Sequence, residues 1–172
     1  MKKLLFLFAL AFVSCNIESL IEGLSVHVAM PTVSITTPQV QSGTYTITKS
    51  VSVDTLNAIV LRTTNKNLDE VTDLVLSGVT VSIITPNTLN FSKFSYGKLI
   101  VSSQSSSVTV FDRQLNETGR SYTVGNLSAN VKNIIAQARQ GNKMIDYSLT
   151  ITTASQIPVA SWKIESSLAI TP

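Results

Sequence analysis

In the stretch TYTITKSVSVD, residues 44–54, the side chains alternate with a period of two. Thr44, Thr46, Thr48, Ser50 and Ser52 project to one side and Tyr45, Ile47, Val51 and Val53 to the other. Only a strand with one wet face and one buried face satisfies that spacing, because successive strand side chains point to opposite sides of the sheet. The composition extends this reading to the rest of the chain. Charged residues make up only 13% of the 172, so the exposed faces must be covered by hydroxyls and amides and the buried ones by branched apolar groups.

Further strands are predicted in LNAIVLRTT, VTDLVLSGVTVSII, GKLIVSS, SVTVFD, MIDYSLTITT and VASWKIESSLAI, separated by Asn, Pro, Gly and Ser at the turns. In SVHVAM, Val26, Val28 and Met30 share a face; after Pro31 the phase slips and Val33 and Ile35 take it over, which marks an edge strand or a bulge. One segment departs from period two. In NLSANVKNIIAQARQGN, Val131, Ile134, Ile135 and Ala138 fall at i, i+3, i+4 and i+7, with Ser128 as the expected N-cap and Gly141 at the expected left-handed C-terminus. A helix of about three turns is predicted there, its apolar stripe closing one end of a sandwich. About eight short strands, one helix and no long repeat predict an all-β, antiparallel, immunoglobulin-like β-sandwich. A membrane-spanning barrel is disfavoured by the absence of aromatic girdles.

The chain begins MKKLLFLFALAFVSCNIES. Lys2 and Lys3 form a basic head, Leu4 to Val13 an apolar run, and Ser14 a small residue just before Cys15, the layout of a secretory signal. The run is too short for a permanent span, which takes about 20 residues. Three regions are therefore expected: a signal over 1–14, a tether over 15–24, and a single sandwich domain over 25–172. With Lys2 and Lys3 removed, the thirteen basic side chains fall to eleven against ten acidic ones. No basic patch invites nucleic acid. Cys15 is the only cysteine, so no internal disulfide can form.

Phe12-Val13-Ser14-Cys15 resembles the lipobox of bacterial lipoproteins, with Phe12 in place of the usual Leu. That resemblance implies cleavage before Cys15, a diacylglyceryl group on its thiol, and a membrane anchor that needs no further hydrophobic segment. Asn16, where an Asp would favour retention in the inner membrane, points to the outer membrane, and the single Glu18 after the cysteine favours its periplasmic side. Leu68-x-x-Val71-x-x-Leu74 before an apolar strand, then Thr85-Pro86, Asn90-Phe91-Ser92 and a strand ending in serines, is similar to the middle of a group of Bacteroidetes β-sandwich lipoproteins. This implies an envelope sandwich and brings no activity with it.

Candidates for chemistry are few. His27 is the only histidine and lies on the polar face beside Ser25, so a nucleophilic triad could be built on nothing else. Asn65, Asn67, Asp69, Glu70 and Asp73 are the densest set of oxygen ligands but lack the glycine and alternation of a calcium loop. They read as a solvated turn. No metal site, no catalytic residue and no cofactor is expected. Trp162, with Ala160 and Ile164, reads as a core anchor. Phe91, Phe94 and Tyr96, beside Lys93 and Lys98, are the candidate partner-binding aromatics, with core packing as the competing reading. Asp54-Thr55-Leu56 resembles the short O-glycosylation site of Bacteroidetes envelope proteins, making Thr55 a candidate for modification.

The functional expectation is a lipid-anchored, non-enzymatic module that binds or assembles with an envelope protein or glycan. Two alternatives make structural demands. A carrier of hydrophobic ligands requires a sizeable pocket between the sheets, lined by residues such as Val51, Val81 and Ile151. A glycan hydrolase requires two carboxylates across one cleft, one of them with a raised pKa, drawn from Asp69, Asp73, Asp112, Asp146 and Glu165.

Overall fold

The computed structural model describes residues 25–115 and 117–171. The expected signal and tether, with Cys15, lie outside the described residues. In chain order the elements are β1 (Val26–Ala29), β2 (Val33–Thr37), β3 (Gly43–Ser52), α1 (Val53–Thr64), β4 (Asp73–Thr85), a 3-10 turn (Phe91–Lys93), β5 (Phe94–Ser103), β6 (Ser106–Arg113), β7 (Ser121–Asn130), α2 (Lys132–Gln140), β8 (Met144–Thr153) and β9 (Ala160–Thr171).

Every strand pairing is antiparallel. One sheet runs β1-β9-β4-β7, with β2 also on β9, and the other runs β3-β8-β5-β6. The all-β antiparallel sandwich is thus formed as expected. Within that class the strand order is that of a jelly roll, in which nearly every connection crosses from one sheet to the other, where the sequence had suggested the immunoglobulin-like order as the default. Alternation identifies which side of a strand is buried; it carries no information about which strand lies alongside.

β1 and β2 pair with successive halves of β9, Val28 with Leu168 and Ile35 with Trp162, and Pro31 separates them on the sheet edge, as the phase slip required. A second slip shapes β4. Leu74 and Leu76 face inward, the register shifts between Leu76 and Gly78, and Val79, Val81 and Ile83 carry the inward face onward.

LNAIVLRTT is a helix, not a strand. The β-branched residues Ile59, Val60, Thr63 and Thr64 favour an extended reading, but Val53, Leu56 and Val60 recur at helical spacing and are all buried. Ser52 Oγ accepts from Asp54 N–H at 3.2 Å and starts the helix. Asn65, in the left-handed region at φ 57°, ends it by donating to the Leu61 carbonyl. Val53, placed by alternation on the strand face, is therefore the first residue of α1.

The other helix is shorter than predicted. Ser128 lies in β7, a strand the alternation did not reveal, and α2 opens after Val131, with Asn130 Oδ1 accepting from Lys132 N–H at 2.9 Å. Gly141 has φ −109°; the left-handed residue is Lys143, at φ 59°. The stripe itself is where the spacing put it. Val131, Ile134, Ile135 and Ala138 are buried, and α2 touches strands of both sheets.

Between the sheets, β9 contributes Ala160, Trp162, Ile164, Leu168 and Ile170, and β8 contributes Ile145, Tyr147, Leu149 and Ile151, all buried. The buried hydroxyls are paired. Trp162 Nε1 donates to Thr37 Oγ1 at 3.3 Å, and the Tyr147 hydroxyl lies 3.0 Å from Ser166 Oγ. Burial pushes the Tyr147 phenol up, partly offset by the Ser166 bond.

The two ends of the sandwich differ. Both helices sit at the end where β3 and β7 finish and β4 and β8 begin, and Val26 pairs with Ile170 there, so the chain enters the domain at this helical end. At the other end lie the loops 38–42, 86–93, 117–120 and 154–159. The ten residues of β8 separate the ends by about 33 Å.

Candidate functional site

Of the three candidate partner-binding aromatics, two are internal. Phe91 and Phe94 are each 1% exposed and pack on Trp162 with ring centroids 6.1 and 5.3 Å away. Phe91 opens the 3-10 turn and Phe94 begins β5, where the chain dives into the core, so neither is offered to a partner. Tyr96 reaches the surface, its hydroxyl donating to Asp112 Oδ1 at 2.5 Å. Lys98 Nζ holds the same carboxylate at 2.8 Å.

These contacts couple three titrations. The Lys98 ammonium, then the Tyr96 hydroxyl, hold the Asp112 carboxyl below the usual range, while Asp112 raises both Tyr96 and Lys98. A lowered carboxyl stabilises the fold above its unfolded pKa and loses that contribution as pH falls through the folded value. Asp112→Asn is accordingly expected to lower the Tm near neutral pH and to leave it unchanged in acid strong enough to protonate Asp112. The shift is small for so exposed a group. Equal Tm differences at both pH values, read by calorimetry, would show that the pair contributes nothing.

The remaining candidates are dispersed. Thr55 is exposed in the first turn of α1. His27 is exposed on the outer face of β1, its Nδ1 3.4 Å from Ser77 Oγ, and Ser77 bonds Ser167 Oγ at 2.9 Å. Hydroxyls, not a carboxylate, surround that imidazole. In the acidic turn, Glu70 accepts from the backbone N–H and side-chain amide of Asn67, which lower its pKa. Asp69 pairs with Arg139, and Asp73 accepts from Asn130 Nδ2. Among the described residues no group of three His, Cys, Asp or Glu could hold a metal ion.

The carboxylates do not converge either. Glu165 lies on the outer face of one sheet beside Lys163, and Asp112 and Asp146 lie on the outer face of the other. Lys98 stands opposite Asp112 and Ser102 opposite Asp146, so the two acids are four residues apart along β5, about 13 Å. Glycosidase pairs stand within about 10 Å. The hydrophobic carrier fares no better: Val81 and Ile151 are packed in the core, and the gap between α2 and the sheets, bounded by Leu76, Val101 and Ile135, measures about 10 Å³, room for one water at most.

The loop end carries a built cleft. Loops 86–93 and 154–159 form its two walls and border a half-open space of about 200 Å³, with Thr88, Lys93, Ser155, Gln156 and Pro158 exposed along it and Leu89 and Ile157 buried at its base. Each wall is braced from beneath. Thr153 Oγ1 bonds the carbonyl of Lys93 on one side (3.1 Å) and of Ser155 on the other (2.8 Å). Phe91 N–H donates to the Gly119 carbonyl, and Ile157 exchanges both backbone bonds with Val40. The sequence did not single out this cleft, because its residues come from segments about 60 positions apart whose meeting depends on β5 lying next to β8. The nearest signal was composition: neither wall contains an acidic residue.

No family model matches the sequence, and no curated protein matches it. Among solved structures, it is similar to the family 32 carbohydrate-binding module of C. perfringens NanJ in complex with galactose (8% identity, 83% of this chain and 99% of that one, TM-score 0.39). It is also similar to the decameric BFDV capsid protein (8% identity, 85% and 96%, TM-score 0.40) and to its 60-mer form (10% identity, 85% and 91%, TM-score 0.41). Superpositions this loose bear on neither ligand nor activity.

Proposed function

We propose that this protein is a lipid-anchored, non-enzymatic binding module of the cell envelope, held through Cys15 on the periplasmic side of the outer membrane, whose loop end engages a partner. One observation carries the reading: the chain enters the domain at the helical end, opposite the four loops and their cleft. A tether of ten residues spans at most about 35 Å, and the loops stand a further 33 Å or so from the point of attachment. Membrane attachment at one end leaves the other free. Two of the exposed large apolar side chains, Ile84 and Val159, sit at that free end, 43% and 57% exposed. Among the described residues no helix is long and apolar enough to cross a membrane; what supports an anchor at Cys15 is the lipobox-like Phe12-Val13-Ser14-Cys15.

The test is crosslinked pull-down from envelopes. Val159→Asp combined with Ile84→Asp is expected to lose the partners that wild type recovers, whereas Leu61→Asp, a comparable change on exposed α1, retains them. Cys15→Ala is expected to move the protein out of the membrane fraction. Partners lost with Leu61→Asp and kept by the loop-end variant would refute the orientation; membrane retention of Cys15→Ala would refute the anchor.

A further inference from the structure

We infer that the loop-end cleft is a binding site for a single pyranose residue bearing a carboxylate, a sugar acid of uronate type, presented by an envelope glycan. This rests on the loop-end reading above and names its ligand class.

The polar side chains of the cleft are unspent. Across the outer sheet faces the hydroxyls satisfy one another: Thr44 with Thr152, Thr46 with Thr150 and Thr48 with Ser148 at 2.8 Å, and Thr80 with Thr123 and Ser82 with Ser121 at 2.9 Å. At the cleft rim, the side chains of Thr88, Lys93, Ser155 and Gln156 have no partner among the described residues. The site thus offers one ammonium, two hydroxyls and a carboxamide, already held by walls whose backbone is pinned at Thr153 and Val40. A site whose walls are fixed in advance spares the ligand the cost of ordering them.

Size and polarity then narrow the ligand. The volume of about 200 Å³ lies below that of pockets for drug-sized molecules, roughly 300–1,000 Å³, and admits one ring. Its accessible apolar side is the exposed ring of Pro158, with Leu89 and Ile157 closed behind it at 4% and 2% exposure, while its rim is polar. A pyranose has the matching division between C–H faces and hydroxyl edges. The charge selects the acid. Lys93 is the one ionised group of the cleft. The loops of this end otherwise carry Arg120 and an Arg113–Glu117 pair (3.3 Å). An uncharged sugar would leave the Lys93 ammonium unused, whereas a carboxylate gains a charge-assisted bond. An acidic peptide would also meet Lys93, but a cleft of about 200 Å³ takes little more of it than one side chain.

The experiment is ligand-observed saturation-transfer NMR on the full chain in detergent micelles, titrating glucuronic acid, glucose, acetate and an Asp-rich peptide as separate probes. Glucuronic acid is expected to bind with a dissociation constant on the order of 1 mM, about tenfold tighter than glucose or acetate. Lys93→Gln should erase that preference, while Lys49→Gln, at an exposed cation on β3, preserves it. Equal binding of glucose and glucuronic acid, indifference to Lys93→Gln, preference for the peptide, or no transfer from any sugar would each overturn the inference. Those outcomes leave the binding module standing if the loop-end variant still loses its partners in pull-down; failure of the pull-down contrast strikes the module itself.

Discussion

Trp162→Ala is expected to destabilise the domain by about 3–5 kcal/mol, the range for removing a large buried aromatic, and to lower the Tm by roughly 6–20 °C for a domain of this size. The indole is 1% exposed and is flanked by Phe91 and Phe94, with centroids 6.1 and 5.3 Å away, so truncation removes both ring contacts and leaves a void that three elements would have to collapse to fill. Its Nε1 bond to Thr37 is lost as well. Because Thr37 sits on β2 and Phe91 and Phe94 lead into β5, the loss reaches both sheets at the loop end. Trp162→Phe, which keeps a ring, should recover part of the stability. A loss below about 1 kcal/mol by urea denaturation would mean that the cluster is not packed as described.

The second large effect concerns α1. Leu56→Ala is expected to cost about 2–5 kcal/mol, whereas Leu61→Ala on the same helix should stay within about 0.5 kcal/mol. Leu56 is fully buried and Leu61 is 41% exposed, a division made by the helical period. A strand through the same residues would put Leu56, Ala58 and Val60 on one face and Ile59 and Leu61 on the other. Similar costs at Leu56 and Leu61, measured by chemical denaturation, would contradict the division that the helix makes between them.

The contrast between these two regions explains what could be read in advance. Around Trp162 the alternation Ala160-Trp162-Ile164 is long, regular and set in a central strand, so one periodicity dominates and the core anchor is legible. In residues 53–64 two signals compete. The β-branched side chains favour a strand, while the Ser52 cap and the spacing of Val53, Leu56 and Val60 favour a helix; contact of the buried stripe with β1, β3 and α2 decides between them. Tertiary packing overrides a weak local preference. The same holds for Phe91 and Phe94: aromatics beside lysines are compatible with a surface loop or with a strand entering the core, and only the position of Trp162 distinguishes them.

The sequence by itself determined that this chain forms antiparallel sheets with one hydroxyl-rich and one apolar face, that a helix caps one end, and that the interior is anchored by Trp162. Those follow from periodicity, which is a local property carried by each segment. The tertiary structure alone decided which strands are neighbours, and hence the jelly-roll order, the separation of the helical end from the loop end, and the meeting of Lys93 with Ser155 and Gln156 across one cleft. Strand pairing is chosen by the combined burial of all the faces at once, and no single segment contains that information.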